Sequence, residues 1–271
     1  MGNDSVQIQL DGPIAHLILN RPDKLNAMSH DMLEALNSAM DSVEANPRVR
    51  VITLRGNGRS FCSGFDLSEM LPASTEQQTR RMLQADFDLI MRFWNSPKPT
   101  LSAVHGYVLG GGFELAMACD VAIAAEGAVF GEPEPKFGSG IVALLLPWIA
   151  GPKLAKEMLL FGNDRISAER ALALGIVNRI VAPDSLLAET VGMAGRCAML
   201  DAHAVKLTKQ AINASYGAMG FERALRAALD IDVLIETTET EESRTFRQIL
   251  ARDGVKAAIA WREARVFRPD Q

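Results

Sequence analysis

Cysteine is scarce in this 271-residue chain: Cys62, Cys119 and Cys197 form no close pair and no metal-like spacing. Three scattered thiols exclude a disulfide-stapled fold and a cysteine metal centre, and they fit a reducing compartment, so a cytoplasmic location is expected. Basic charge is not in excess either. The 28 Lys and Arg stand against 33 Asp and Glu, a net charge of -5, which leaves no footprint for a nucleic-acid backbone or an anionic membrane. Long apolar runs are missing: the longest, residues 141–150, is interrupted by Pro147 and is far short of the ~20 residues that span a bilayer. Residues 1–10 alternate polar and apolar without a basic start, so no signal peptide is expected. What is present is 48% hydrophobic and 23% charged residues, the composition of a globular protein long enough to bury a sizeable core.

Periodicity places the elements. Residues 6–10 and 14–19 flank Asp11-Gly12-Pro13 and predict a β-hairpin. Ser29 precedes Met32, Leu33, Leu36, Met40 and Val43 at helical spacing, which predicts a capped helix ending at Asn46-Pro47. Short strands are predicted at 49–54, 100–104 and 121–125, with an extended piece at 129–130. A helix is predicted over 66–94 with a break near Pro72, and a turn at 107–112 leads into a helix over 113–119. From Leu154 onward helix formers dominate, apart from a turn and strand in 175–181 and a break at Pro183-Asp184. The chain therefore reads as an α/β body, residues 1–196, followed by a helical region, residues 197–271.

Two loops carry chemical potential. Residues 61–67, Phe-Cys-Ser-Gly-Phe-Asp-Leu, follow a strand and precede a helix; so do residues 105–114, with Gly110, Gly111 and Gly112 in succession. Three glycines permit a turn barred to side-chain-bearing residues and let a ligand reach main-chain amides. A helix N-terminus adds unpaired donors and partial positive charge, which suits an oxygen that becomes negative during a reaction. The pattern is neither a phosphate loop nor a dinucleotide fingerprint, because no Gly-Lys-Ser/Thr follows and the glycine spacing differs. Turn chemistry alone explains the glycines equally well. Glu114 lies just inside the following helix, and Glu134 is held between Pro133 and Pro135 in a stiff loop. By spacing, these are a helix-start charge and a solvated loop charge as readily as a catalytic pair; only a fold can bring them together.

Residues 19–27 (Leu-Asn-Arg-Pro-Asp-Lys-Leu-Asn-Ala), 61–67, 103–120, 130–134, 162–168 and 171–177 together resemble the enoyl-CoA hydratase/isomerase, or crotonase, superfamily. The resemblance covers essentially the whole chain. It implies an α/β fold, a crotonase-like spiral of ββα units with a helical C-terminal region that forms homotrimers, often paired into hexamers. It also implies a thioester enolate held by an oxyanion hole, made here of the backbone N–H groups of Phe65 and Gly111. Glu114 would deprotonate water for attack at C3, and Glu134 would protonate C2. Lys24, Leu25 and Ala27 would run along the coenzyme A portion, with Cys62, Gly64 and Asp66 beside it and Arg21 and Lys24 near phosphates. Coenzyme A is part of the substrate; no metal and no separate cofactor are expected. The implied reaction is reversible hydration of a 2-enoyl-CoA to a 3-hydroxyacyl-CoA, as in fatty acid metabolism, with double-bond isomerisation or a silent acyl-CoA-binding scaffold as alternatives.

The chain departs from the hydratase pattern in places. Val142 stands in the acyl-pocket stretch where glycine is expected, and Glu132 is an added acid two residues before Glu134. Ala258 and Trp261 replace a C-terminal aromatic and lysine, which weakens Arg262 and Arg265 as phosphate contacts. His16, His30 and His203 fall outside the motifs, His105 has no nucleophile to activate, nothing activates the Cys62 thiol, and Asp120 reads as structural.

Overall fold

The computed structural model describes residues 5–69, 75–162 and 164–265. The predicted hairpin forms: β1 (Val6–Asp11) and β2 (Ile14–Leu19) pair antiparallel about Gly12, whose φ is +54°. β1 is an exposed edge, and β2 is buried along its whole length. Ser29 caps α1 (His30–Ala45) by accepting from the Met32 amide, and α1 buries Met32, Leu36, Met40 and Val43. That helix is the crossover that lets β3 (Val51–Gly56) lie parallel to β2. The helix predicted over 66–94 is divided. A 3₁₀ turn spans Leu67–Glu69, and α2 (Glu76–Asn95) starts afresh from a Thr75–Gln78 capping box. The predicted break at Pro72 lies outside the described residues.

Beyond α2 the chain alternates between two sheets. β4 (Thr100–Val104) joins β3, β5 (Tyr107–Leu109) starts a second sheet, and α3 (Gly111–Ala118) turns back. β6 (Val121–Ala125) then adds to β4, and β7 (Val129–Gly131) adds to β5. The predicted turn at 107–112 is thus partly a strand, because buried Val108 pairs in register with Phe130. The helix begins at Gly111, not Phe113, with Gly110 as its cap. After α4 (Leu146–Ile149) and α5 (Pro152–Leu160), β8 (Ile166–Ser167) extends the second sheet. α6 (Ala168–Ala173) leads to β9 (Arg179–Val181), which closes the first. The sheet orders are β1-β2-β3-β4-β6-β9 and β5-β7-β8, the spiral of strand, strand and helix expected from the motifs.

The helical region follows: α7 (Leu186–Ala198), α8 (Ala202–Ala218), α9 (Phe221–Thr237), α10 (Glu241–Asp253) and α11 (Val255–Ala264). Residue 196 falls inside α7, which itself packs on β2, β3, β4 and β6. α9 docks on α2, where Phe221 meets Trp94 at 4.7 Å and the edge of Trp148 at 5.2 Å. His16 is buried against Thr53, with Nδ1 2.7 Å from the hydroxyl, a structural role as expected. Asp120 is structural too. It accepts from the Thr100 amide and from the Lys209 ammonium of α8 at 2.7 Å, while that ammonium also donates to the carbonyls of Phe93 and Lys98. No helix among the described residues is long and apolar enough to cross a membrane.

The Lys209 ammonium is thus the buried rivet between α8 and the α/β body. Lys209→Met leaves Asp120 and two carbonyls facing an apolar side chain. The expected cost is about 3 kcal/mol, read as a lower urea midpoint; an unchanged midpoint would show that the ammonium is not what holds α8 to the body.

Candidate active site

The first wall of the site is a double loop. Leu25 and Asn26 both take positive φ, 53° and 54°, a backbone region that asparagine tolerates better than leucine. Asn26 is 0% exposed. Its side-chain amide donates to the carbonyls of Asn57 (2.9 Å), Ser60 (2.8 Å) and Phe61 (3.1 Å), and its Oδ1 accepts from the Arg21 amide at 2.8 Å. This latch was not read from the sequence, because nothing local announces that an asparagine points inward. The Ser63 amide donates to Leu25 at 3.1 Å and the Met28 amide to Gly64 at 2.9 Å. Lys24, Leu25, Ala27, Cys62 and Gly64 therefore belong to one ledge, with Lys24 exposed and Leu25 and Ala27 half-buried. Arg21 is committed elsewhere: it donates to the Ala27 carbonyl and pairs with Asp66 at 2.9 Å. Burial opposes charge on Asp66, yet bonds from Ser68 and Arg21 hold it below the usual carboxylate range. Burial pushes the Cys62 thiol up to about 12, so it packs and does not react.

The second wall is the glycine loop. The Leu109 amide donates to Cys62 at 3.0 Å and the Cys62 amide to Tyr107 at 3.1 Å, which zips β5 to the ledge. A Cβ on Gly64 would sit 3.7 Å from the Gly111 nitrogen, and a Cβ on Gly111 would sit 2.5 Å from Cε2 of Phe65. The main chain at Gly64 is therefore in contact with that at 109–111, and the Phe65 ring lies against Gly111. Among the described residues the amides of Phe65 and Gly111 donate to no protein group, although the neighbouring Gly110 amide is taken by the Gly131 carbonyl at 2.9 Å. Gly110 has φ +52°, and a Cβ there would lie 2.0 Å from Oε1 of Glu134. No other residue fits between the turn and that carboxyl.

Acids line the floor. Glu114, in the first turn of α3, is 1% exposed and accepts from the Ala143 amide at 2.6 Å and from the Val142 amide. Burial, then the charge of Glu134, drive its proton affinity well above that of an ordinary glutamate, against the pull of those two amides. Glu134 sits in a 3₁₀ turn, Glu134–Phe137, where a stiff irregular loop was expected; burial pushes it up to about 7. Val142, placed in the acyl pocket by the motif, is buried beside Glu114. Asp232 of α9 is 2% exposed with no donor on either oxygen, and Gly140 leaves room for it: a Cβ there would be 1.9 Å from its Oδ1. Burial, then Glu236, Glu134 and Asp86, push Asp232 up to about 8. Like charges this crowded cannot all ionise, so the carboxyls share protons and hold acid and base forms together. Asp232 went unread because it lies on a helix almost a hundred residues downstream, where an acid is unremarkable.

The remaining candidates are occupied. Arg262 stacks on Phe137 at 5.6 Å and pairs with Glu263, and Arg265 stacks on Trp261 at 4.8 Å. Ala258 is fully buried, and Trp261 packs near Phe246. Nε2 of His105 meets the Gly58 carbonyl at 2.9 Å.

Glu114 is buried and Glu134 half-buried, and among the described residues the two amides are unengaged. The profile of the enoyl-CoA hydratase/isomerase family matches residues 10–264. The chain belongs to this family. It is 37% identical over 222 residues to the crotonyl-CoA hydratase of Syntrophomonas wolfei subsp. wolfei, covering 79% of this chain and 83% of that one. It is 35% identical over 217 residues to the short-chain-enoyl-CoA hydratase of Clostridium acetobutylicum, covering 78% and 81%. The crystal structure of an enoyl-CoA hydratase/isomerase from Xanthobacter autotrophicus Py2 superposes with a TM-score of 0.94 at 46% identity, covering 97% of this chain and 98% of that one.

Asp232 yields a pH test. Its folded proton affinity, about 8, exceeds the value of 3.8 for a free aspartate. The stability it contributes is therefore full below about pH 4 and lost as pH rises towards about 8. Asp232→Asn removes that loss, so its urea midpoint should gain on the parent steadily between these pH values. A constant gap would show that Asp232 ionises normally in the fold.

Proposed function

We propose that the chain catalyses reversible hydration of a 2-enoyl-CoA to a 3-hydroxyacyl-CoA. The observation that carries this reading is the pair of unengaged amides, Phe65 and Gly111, set in contacting main chains beside Glu114 and Glu134. The thioester oxygen would accept from both amides. Negative charge grows on that oxygen as the enolate forms, and donors already in place need no reorganisation; one such donor contributes about 3 kcal/mol. Withdrawal through the carbonyl makes C3 electrophilic. Glu114, whose raised proton affinity the Ala143 and Val142 amides oppose, takes one proton from water as the water oxygen bonds to C3. Glu134 gives its proton to C2, and the second water hydrogen stays on the product hydroxyl. In dehydration the same two groups exchange roles. A shared-proton pair suits this, because one partner must be acid while the other is base.

The ledge of Lys24, Leu25, Ala27, Cys62 and Gly64 would carry the coenzyme A portion, with the exposed Lys24 ammonium nearest the phosphates. Arg21 and Asp66, already paired, shape the ledge instead of gripping the ligand. Val142 bounds the acyl end. Coenzyme A enters and leaves with the substrate, and no step calls for a metal or further cofactor. Relatives named for crotonyl-CoA and short-chain enoyl-CoA favour short acyl groups. Two seated glutamates, where isomerisation needs one, favour hydration over isomerisation and over a silent scaffold.

Association into homotrimers, or hexamers as dimers of trimers, through the 197–271 region is supported by its apolar surface. Met199 is 86% exposed, and Leu200, Leu207, Ile212, Met219 and Ile231 also face outward, apolar side chains that an interface would cover. The cytoplasmic placement rests on the sparse cysteines.

Loss of the conjugated thioester absorbance with crotonyl-CoA and longer 2-enoyl-CoAs should report turnover; none at any length would overturn the reading. Glu114→Gln and Glu134→Gln should each lower kcat by about 10²–10⁴-fold with coenzyme A binding kept. Light scattering should return three or six times the monomer mass, and a monomer mass would refute the assembly.

A further inference from the structure

The reaction above leaves two buried carboxyls at the site unused, Asp232 and Glu132. Glu132 is 1% exposed, and neither of its oxygens meets a donor. It lies within hydrogen-bonding reach of the Glu134 carboxyl, which also lacks a donor on Oε2. Two ionised carboxylates are acceptors only and cannot bond to each other; a single proton turns the contact into an O–H···O bond. Only Pro133 separates the two residues, and the 3₁₀ turn starts at Glu134.

The surroundings decide which of the two keeps the proton. Glu114 on α3 faces Glu132 with like charge. Asp232 on α9 and Asp164 face Glu134, and Lys136 is tied to Asp164 at 2.8 Å. Arg262 of α11, although paired with Glu263, still favours an anion on Glu134. Among the described residues the charges that act on Glu132 are like charges that disfavour its anion, whereas Arg262 favours an anion on Glu134 against the opposing Asp164.

We propose that Glu132 stays protonated and is a positioning residue, donating a hydrogen bond to the Glu134 carboxyl so that Glu134 can both give a proton to C2 and take it back. Burial alone would make Glu134 hold its proton too tightly to act as the base in dehydration, and a donor beside it offsets that pull; the contact with Glu132 acts in this direction. The proton on Glu132 never leaves it. The inference rests on the hydratase reading for the role of Glu134, and on the unpartnered carboxyl oxygens of Glu132 and Glu134 for the bond between them.

Glu132→Leu removes the donor and Glu132→Gln keeps one that cannot ionise. With a 3-hydroxyacyl-CoA at neutral pH, Glu132→Leu should lose about tenfold or more in kcat, the size of one hydrogen bond to a charged group, with KM unchanged. Its acid limb in the kcat–pH profile should move to higher pH, and Glu132→Gln should restore both rate and limb. Wild-type behaviour of Glu132→Leu would overturn the proposal; so would loss in Glu132→Gln equal to that in Glu132→Leu, because the proton itself would then be moving. The infrared spectrum tests the bond without turnover: the difference between wild type and Glu132→Gln at neutral pH should contain a protonated-carboxyl C=O band. Absence of that band overturns the proposal even if no enoyl-CoA is a substrate, and its presence in an inert protein leaves the bond standing while the hydratase reading fails.

Discussion

The site depends on one close approach of main chain to main chain. Gly64-Phe65 and Gly110-Gly111 come from different turns of the spiral, and their contact exists because glycine has no Cβ to hold them apart. From it follow the two unengaged amides, the seat of the Phe65 ring over Gly111, and the slot in which the Glu134 carboxyl lies against Gly110. The approach is held from outside the pocket, by the Asn26 latch on one loop and by the β5 bonds to Cys62 on the other. Substitution far from any substrate atom can therefore move both amides at once.

The acids beneath that contact are a second consequence of the same packing. Once the chain excludes water from Glu114, Glu132 and Asp232 and half-buries Glu134 among them, their charges cannot coexist, and the cluster holds protons at neutral pH that isolated carboxyls would release. An exposed pair of glutamates could not hold acid and base forms together in this way. The cost is native stability at higher pH, a strain of the kind that concentrates at functional sites.

The helical region does more than cover the body. α9 supplies Asp232 beneath Gly140, and its Glu236 holds the Gly140 amide and the Ser139 hydroxyl, so the stretch that leads to the Val142 and Ala143 amides is set by a helix from the opposite end of the chain. Lys209 ties α8 to Asp120 in the same manner. Changes in the C-terminal helices should thus be felt at Glu114.

Local patterns carried the hairpin, the Ser29-capped helix and most short strands, because alternation and helical spacing record which face of an element is buried. The motif resemblance singled out Glu114, Glu134, Phe65 and Gly111 as candidates, and the fold sets the Phe65 ring against Gly111 and the Glu134 carboxyl against Gly110. Residues 107–109 were misread as turn because a strand of three residues has too little alternation to show, and its pairing partner lies across a helix. Asn26, the Arg21–Asp66 pair and Asp232 were decided only in three dimensions. Burial, shared protons and the freedom of two amides are properties of distances between segments far apart along the chain, and residue order alone does not contain those distances.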